Sequence, residues 1–335
     1  MAVLQYSYIN LDILKSLALN INTMLTRSYS LWFISILLLI GSFLLFIGGP
    51  DYYSSRSLKN LWDMGHIFYF ALLSFLMTRW SYVSRMSLLL QWVTILAATF
   101  LFGVSIELMQ YGATRTPSIG DLLRDLTGSL LVLAFGLPGA KLNPLNRRLF
   151  LQASVLILTL VMIWPLARSL IDEAISWYQF PLLSGFETPF EIHRWKGGDR
   201  LSVESKTSIS NGKVLKLPLT TDKYSGASLM YFNGDWRSYS TLKMSIYNPD
   251  TSLLQIVCRI HDFQHSDGNE EYEDRYNQRF QLQPGWNYID IDLNEVELRP
   301  AHRRMDMSRV QQVGIFVVSL PSPRVIYLDD VQLSN

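Results

Sequence analysis

Between Leu31 and Ala167 the sequence returns repeatedly to apolar runs long enough to cross a bilayer, and no other feature limits the fold as tightly. A helix rises ~1.5 Å per residue, so ~20 apolar residues cover a hydrocarbon core ~30 Å thick. Candidate spans are Leu31–Gly48, Leu61–Thr78, Met86–Met109, Ile119–Leu137 and Leu149–Ala167. Backbone amides left unpaired in lipid cost several kcal/mol each, so these runs are expected to be helices. The first thirty residues hold no compact apolar run followed by a cleavage site, so the first span is expected to stay in the chain. Charged residues make up only 17% of the 335, against roughly 25% in an ordinary soluble protein.

Orientation follows from Lys and Arg in the short loops. A cytoplasmic N-terminus puts Lys15, Arg27, Arg79, Arg85, Lys141, Arg147 and Arg148 inside, and leaves Arg56, Lys59, Arg115 and Arg168 outside. With about five spans the C-terminal part is then extracytoplasmic. The net charge of +1 gives no sign of a nucleic-acid partner. The single Cys258 excludes an internal disulfide.

After Pro181 the pattern changes to short alternating runs. Val214–Leu217, Leu242–Ile246, Leu254–Ile260, Tyr288–Leu293, Val313–Val318 and Val325–Leu328 read as strands. Asn211-Gly212, Asn233-Gly234, Asn248-Pro249, Asp267-Gly268 and Pro284-Gly285 punctuate them as turns. The expected architecture is an all-α transmembrane bundle followed by an all-β jelly-roll sandwich. Its parts are an N-terminal cytoplasmic segment at 1–29, the bundle at 30–168, a linker at 169–184 and the sandwich at 185–335.

Ionisable residues inside spans are expensive and mark candidate sites. Asp63 and His66 lie one turn apart on the second span, and Glu107 and Gln110 one turn apart on the third. Arg115 and Ser118 follow in a loop, and the fourth span opens with Asp121, Arg124 and Asp125. The topology brings all of them to one depth near the outer leaflet. Arg115 is suited to an anionic headgroup, because a guanidinium forks onto phosphate, and the start of the fourth helix adds free amides. Asp63, His66, Glu107 and Asp121 are also the residue types of acid–base catalysis or metal ligation. Helix capping by Asp63, Ser118 or Asp121, and pairing of Glu107 with Arg115 or Arg124, are the structural alternatives.

This ordered set resembles the VanZ-like family. It comprises Asp63-x-x-His66, Glu107-x-x-Gln110, Arg115-x-x-Ser118-x-x-Asp121 and Asp125-x-x-Gly128, within Asp51–Gly139. Met64 and Asp125 stand where that family commonly has Lys and Asn. The resemblance implies a membrane bundle without fixing a reaction. No Gly-x-Ser-x-Gly, His-Glu-x-x-His or phosphate loop is present.

The C-terminal part resembles jelly-roll carbohydrate-binding modules with a galactose-binding-like fold. The carrying residues are Phe186-Glu187, Gly234-Asp235-Trp236 with Tyr239, Asp262, Arg275-Tyr276-Asn277, Pro284-Gly285-Trp286-Asn287 and Tyr327 to Val331. The resemblance implies an aromatic platform for glycans, with Tyr224, His261, Tyr272, Arg275 and Tyr276 as candidates. It also implies a structural calcium near the first and last strands, with Glu187 and Asp329 or Asp330 as oxygen donors. His261, Asp262, His265 and Asp267 offer a second metal constellation, against the plainer reading of solvated loop residues.

The resulting expectation is a bacterial inner- or plasma-membrane protein of the cell envelope. Its bundle would hold an anionic lipid or polyprenyl-phosphate headgroup, and its sandwich an envelope glycan or partner protein. The alternatives are a hydrolase or transferase acting on lipid-linked phosphate or sugar, and a membrane-anchored scaffold.

Overall fold

The computed structural model describes residues 32–44, 49–111, 118–142, 144–197, 201–205 and 212–335. The N-terminal segment 1–29 and Arg115 lie outside this set, as does the side chain of Gln110. The chain divides into two compact units. One holds the residues up to Asp51 together with Lys59–Pro165, and the other holds Tyr52–Leu58 with Leu166–Asn335.

The first unit is helical. The helices are α1 (Trp32–Leu44), α2 (Arg56–Arg79), the single turn α3 (Ser81–Ser84), α4 (Leu88–Tyr111), α5 (Ile119–Phe135), the single turn α6 (Leu137–Ala140) and α7 (Leu145–Gln179), of which the first three residues of α2 and α7 from Leu166 on belong to the second unit. Among the described residues three helices, α2, α4 and α7, are long and apolar enough to cross a membrane. Five spans were expected. The described part of α1 is too short to span alone, and α5 is 17 residues long and carries Asp121, Arg124 and Asp125. Large apolar side chains such as Phe68, Leu89, Leu101, Phe150 and Leu160 are exposed on the helices, more than a soluble surface tolerates.

Small residues let these helices approach. A Cβ on Gly128 of α5 would stand 2.3 Å from the Ile67 carbonyl oxygen of α2, so the two backbones are in contact there. The hydroxyls of Ser74 and Thr99 each lie 2.7 Å from that of Ser129, tying α2, α4 and α5 together. Such polar links replace the hydrophobic drive that lipid does not provide. Ser118 caps α5, its hydroxyl accepting the Asp121 amide.

The segment 169–184, read from sequence as a linker, is mostly helix. Helix α7 continues past Pro165 to Gln179. The reason is a buried charge. Asp172, wholly buried, accepts from the equally buried Arg194 at 2.8 Å and also pairs with Arg56. Glu173 accepts the Ser57 amide at 3.0 Å. A helix end that looks solvated in sequence is thus itself part of the second unit and packed within it.

That unit is a sandwich of two antiparallel sheets. One sheet runs β3 (Ser202–Ser205), β4 (Lys213–Leu219), β11 (Arg324–Ser334), β6 (Thr241–Asn248), β9 (Gly285–Asp292), with β1 (Leu182–Ser184) also paired to β11. The other runs β2 (Trp195–Gly197), β5 (Tyr224–Leu229), β10 (Val310–Val318), β7 (Leu254–Asp262), β8 (Tyr276–Leu282). Five of the six strand runs read from the sequence lie within these elements; the sixth, Tyr288–Leu293, overruns β9 by one residue, because Asp292 caps a short helix that Leu293 begins. Alternation sets their faces: in β6, Leu242, Met244 and Ile246 point inward while Lys243, Ser245 and Tyr247 are less buried. Inward residues of both sheets meet in one core around the fully buried Trp236. The short helices α8 (Phe263–Asp267) and α9 (Leu293–Leu298) close strand ends. At the head of β9, Gly285 has φ +88°, a conformation that suits glycine in the turn.

Breaking the Asp172 pair tests this arrangement. Asp172→Leu strands the buried Arg194 guanidinium, removes a partner of the half-buried Arg56, and is expected to cost about 3–5 kcal/mol. The check is urea unfolding of the detergent-purified chain, followed by tryptophan fluorescence; an unchanged midpoint contradicts the assignment.

Candidate functional site

In the helical unit the polar residues singled out from sequence come together where they are described. His66 Nδ1 lies 2.8 Å from Asp125 Oδ1, and its Nε2 lies 4.0 Å from Asp121 Oδ2. Arg124 bonds Asp121 and reaches Asp63 at 3.6 Å. Glu107 Oε2 accepts the Ser118 amide at 2.7 Å, while its buried Oε1 has no hydrogen-bond partner among the described residues. Gly103 gives Asp125 room: a Cβ there would stand 2.5 Å from the carboxylate. An imidazole held between two carboxylates has its orientation and tautomer fixed, as proton-handling sites require. The described part of the cluster is acidic, with Asp63, Glu107, Asp121 and Asp125 set against Arg124. Capture of an anion there would depend on Arg115, outside the described residues.

In the sandwich, sequence proximity proves a poor guide to surface position. Tyr276 opens β8 with its side chain in the core, 2% exposed. His261 is equally buried, packed edge-on against Tyr53 and 4.7 Å from the ring of His265. Neither offers a surface to a glycan. Asp262 is also buried and forms one end of a clamp. Arg303 bonds it at 2.6 and 2.8 Å and bonds Asp274 at 2.6 and 2.8 Å. The His265 and Asp306 amides complete the Asp262 carboxylate. These residues anchor strand ends to loops rather than lying solvated.

Two of the expected calcium donors accept backbone amides. Glu187 accepts the Lys213 amide at 2.9 Å, and Asp329 accepts the Asp330 amide at 2.9 Å. Near the entry strand it is the buried Glu191, unremarked in the sequence, that organises the chain, accepting the Gly185, Phe186 and Thr188 amides at 2.7–3.0 Å. Among the described residues no group of three or more His, Cys, Asp or Glu side chains is arranged to hold a metal.

Tyr224, Tyr272 and Arg275 have a different setting. They line a cleft of about 930 Å³ on the outer face of the sheet β2-β5-β10-β7-β8. Register builds its floor. Lys196 pairs with Ser228, Ser228 with Gly314, Gly314 with Arg259, and Arg259 with Asn277, so one row crosses all five strands on one face. The next row is Gly226, Phe316, Val257 and Arg279. Gly226 is obligatory, since a Cβ would fall 2.5 Å from that of Phe316. Tyr224 and Tyr272, 63% and 69% exposed, stand at the rim. Tyr224 meets Phe316 edge-on at 6.0 Å, and Lys196 lies 4.0 Å from the ring of Tyr52. Amides of Asn277, Gln278 and Gln312 complete the lining. A floor of mixed polar and apolar character with aromatic rims and side-chain amides fits a hydroxylated ligand that stacks and hydrogen-bonds.

No protein-family model matches the chain, and no curated protein matches its sequence. Solved structures do show likeness. An exo-β-agarase has 14% identity and a TM-score of 0.38, over 46% of this chain and 25% of that one. A family 11 carbohydrate-binding module from Clostridium thermocellum, in complex with a β-1,3-1,4-mixed-linked tetrasaccharide, has 15% identity and a TM-score of 0.34, over 46% and 94%. A family 30 carbohydrate-binding module of a cellulosomal cellulase of the same organism has 18% identity and a TM-score of 0.32, over 42% and 84%. This chain spans a quarter of the length of the agarase.

The buried histidines and the clamp give the sandwich a pH dependence. Burial, with His265 next, pushes His261 down to about 3, and burial with Arg275 next lowers His265. Hydrogen bonds from Arg303 hold Asp274 below the usual carboxylate range. Burial raises Asp262, but Arg303 and the two amides outweigh it and hold it low. All four groups bind fewer protons folded than unfolded. Stability is therefore full above the ordinary histidine range and is lost as pH falls, first through the histidines between ~6.5 and ~3 and then through the carboxylates. The melting temperature should drop between pH 7 and pH 5, and less in His261→Phe. A melting temperature that is flat or rises on acidification contradicts the assignment.

Proposed function

We propose that this chain is an integral membrane protein that displays a saccharide-binding β-sandwich on the extracytoplasmic side of the membrane. The single observation that carries the reading is the cleft on the five-stranded sheet, with its aromatic rims, amide groups and volume of about 930 Å³. That volume lies at the upper end of the range for ligand sites. The three apolar helices supply the anchor, and the Lys and Arg bias of the short loops supports a cytoplasmic N-terminus.

Within the same proposal, the polar cluster of the bundle receives the headgroup of a lipid, such as a polyprenyl phosphate that carries an envelope glycan. What supports this is the convergence of Asp63, His66, Glu107, Asp121 and Asp125 in helices that otherwise expose apolar side chains. Ionisable groups at such depth mark substrate paths and relays.

Affinity electrophoresis of the detergent-purified chain through gels containing envelope polysaccharides tests the reading. Retardation is expected, with Tyr224→Ala and Tyr272→Ala each weakening binding about tenfold, as loss of an aromatic anchor does. Native mass spectrometry of the same preparations should show a retained lipid that Glu107→Ala releases. Migration unaffected by every saccharide, with no specific lipid retained, contradicts the proposal.

A further inference from the structure

Charge is distributed unevenly over the guanidinium groups of the sandwich. Arg194, Arg237, Arg303 and Arg324 each bond a carboxylate. The cleft differs in gathering several cations together. It is lined by Lys196, Arg259, Arg275, Arg279 and Arg299, and by no carboxylate among the described residues. None of these five cations forms an ion pair with another described residue. Arg279 and Arg299 are exposed, and unpaired charges are ordinary in water. Lys196, Arg259 and Arg275 are only partly exposed. The Nε atoms of Arg259 and Arg275 are buried and have no hydrogen-bond partner among the described residues. Their neighbours are rings instead: Arg259 lies 5.8 Å from the centroid of Phe316, and Arg275 lies 5.4 Å from that of Tyr272. Burial, then the charge of Arg275, lowers the pKa of Arg259; Glu270 opposes this from nearby without lining the cleft.

Gathering unpaired, half-desolvated cations costs stability, both through lost hydration and through mutual repulsion. An anion entering the cleft would relieve both costs. A guanidinium also offers a planar fork that fits a carboxylate or sulfate with two parallel hydrogen bonds. Resting on the saccharide reading above, we infer that the cleft is specific for an acidic polysaccharide, whose carboxylate or sulfate groups bind Arg259 and Arg275 while its sugar rings stack on Tyr224 and Tyr272. The side-chain amides and the exposed tyrosines favour a sugar over a lipid surface, which would present neither ring faces nor rows of hydroxyls to a recessed sheet.

The test uses one polymer in two charge states. Full-length protein in uncharged detergent is titrated by calorimetry with polygalacturonate and with its fully methyl-esterified form, which keeps the backbone and masks the carboxylates. The expected result is binding to the free acid at least tenfold tighter than to the ester, weakened about tenfold in Arg259→Gln and in Arg275→Gln, and weakened by added salt. A sulfated galactan is a second acidic probe, for a site that prefers sulfate. Mixed-linked β-glucan is the neutral control. Two further results would each overturn the inference while leaving the saccharide reading standing. These are equal binding of acid and ester, and tight β-glucan binding indifferent to both Arg variants. Binding to none of these polymers overturns both. Preference for phosphatidylglycerol vesicles or single-stranded DNA over every polysaccharide assigns the cleft to another polyanion and likewise overturns the inference. Thermal melts of the two variants, expected at or above the wild-type temperature because repulsion is relieved, separate lost binding from lost folding.

Discussion

A charge taken out of water has to find a partner, and this requirement organises both units of the chain. In the sandwich unit Asp172, with no exposed surface, is met by Arg194 and Arg56, and that junction keeps α7 helical to Gln179. Arg303 fastens Asp262 at the end of β7 to Asp274 in the loop before β8. Glu191 gathers three amides at the entry to the sandwich. In the helical unit Asp125 meets His66, and Asp121 meets Arg124. Where the rule holds, the polar side chains are accounted for by the fold itself. It fails on the outer face of one sheet, where cations collect with no carboxylate among the described lining residues, and that is where a ligand is called for.

The geometry of that face comes from strand register more than from any single residue. Five strands carry their outward side chains in parallel rows, so residues far apart in sequence, from Lys196 to Asn277, form one continuous surface. Gly226 and Gly314 keep the floor low, and the tyrosines at Tyr224 and Tyr272 raise its rims. A rigid sheet with ligand groups on its face needs little reorganisation to bind, and that preserves affinity. The polar groups in the helices are packed differently. They sit close to glycines and serines that let α2, α4 and α5 touch, so packing and candidate chemistry share the same residues.

Much of this could be read from the sequence, and the exceptions have physical causes. Period-two alternation made the strands plain, and alternation in β7 already separates Arg259 from the inward Cys258 and Ile260. The same rule misleads at its end, where Ile260, His261 and Asp262 are all buried because Tyr53 and α8 cover the strand. Tyr276 looked like a platform residue beside Arg275 and Asn277, but as the partner of Ile260 in register it faces the core. The contributions of Tyr52 and Lys196 to the cleft depend on tertiary placement that no local pattern encodes. The end of α7 was hidden for a related reason, since Asp172 resembles a solvated residue until Arg194 is seen beside it.

The central claim is that a saccharide lies across the sheet β2-β5-β10-β7-β8 of a membrane-held sandwich. Amide hydrogen exchange of the full chain in detergent, with and without an acidic envelope polysaccharide, measures this most directly. The account predicts slowed exchange confined to Trp195–Gly197, Tyr224–Leu229, Leu254–Asp262, Tyr276–Leu282, Val310–Val318 and the Tyr272 loop, with β4, β6 and β9 of the opposite sheet unchanged. Protection on that opposite sheet, or none anywhere at saturating polysaccharide, would contradict it.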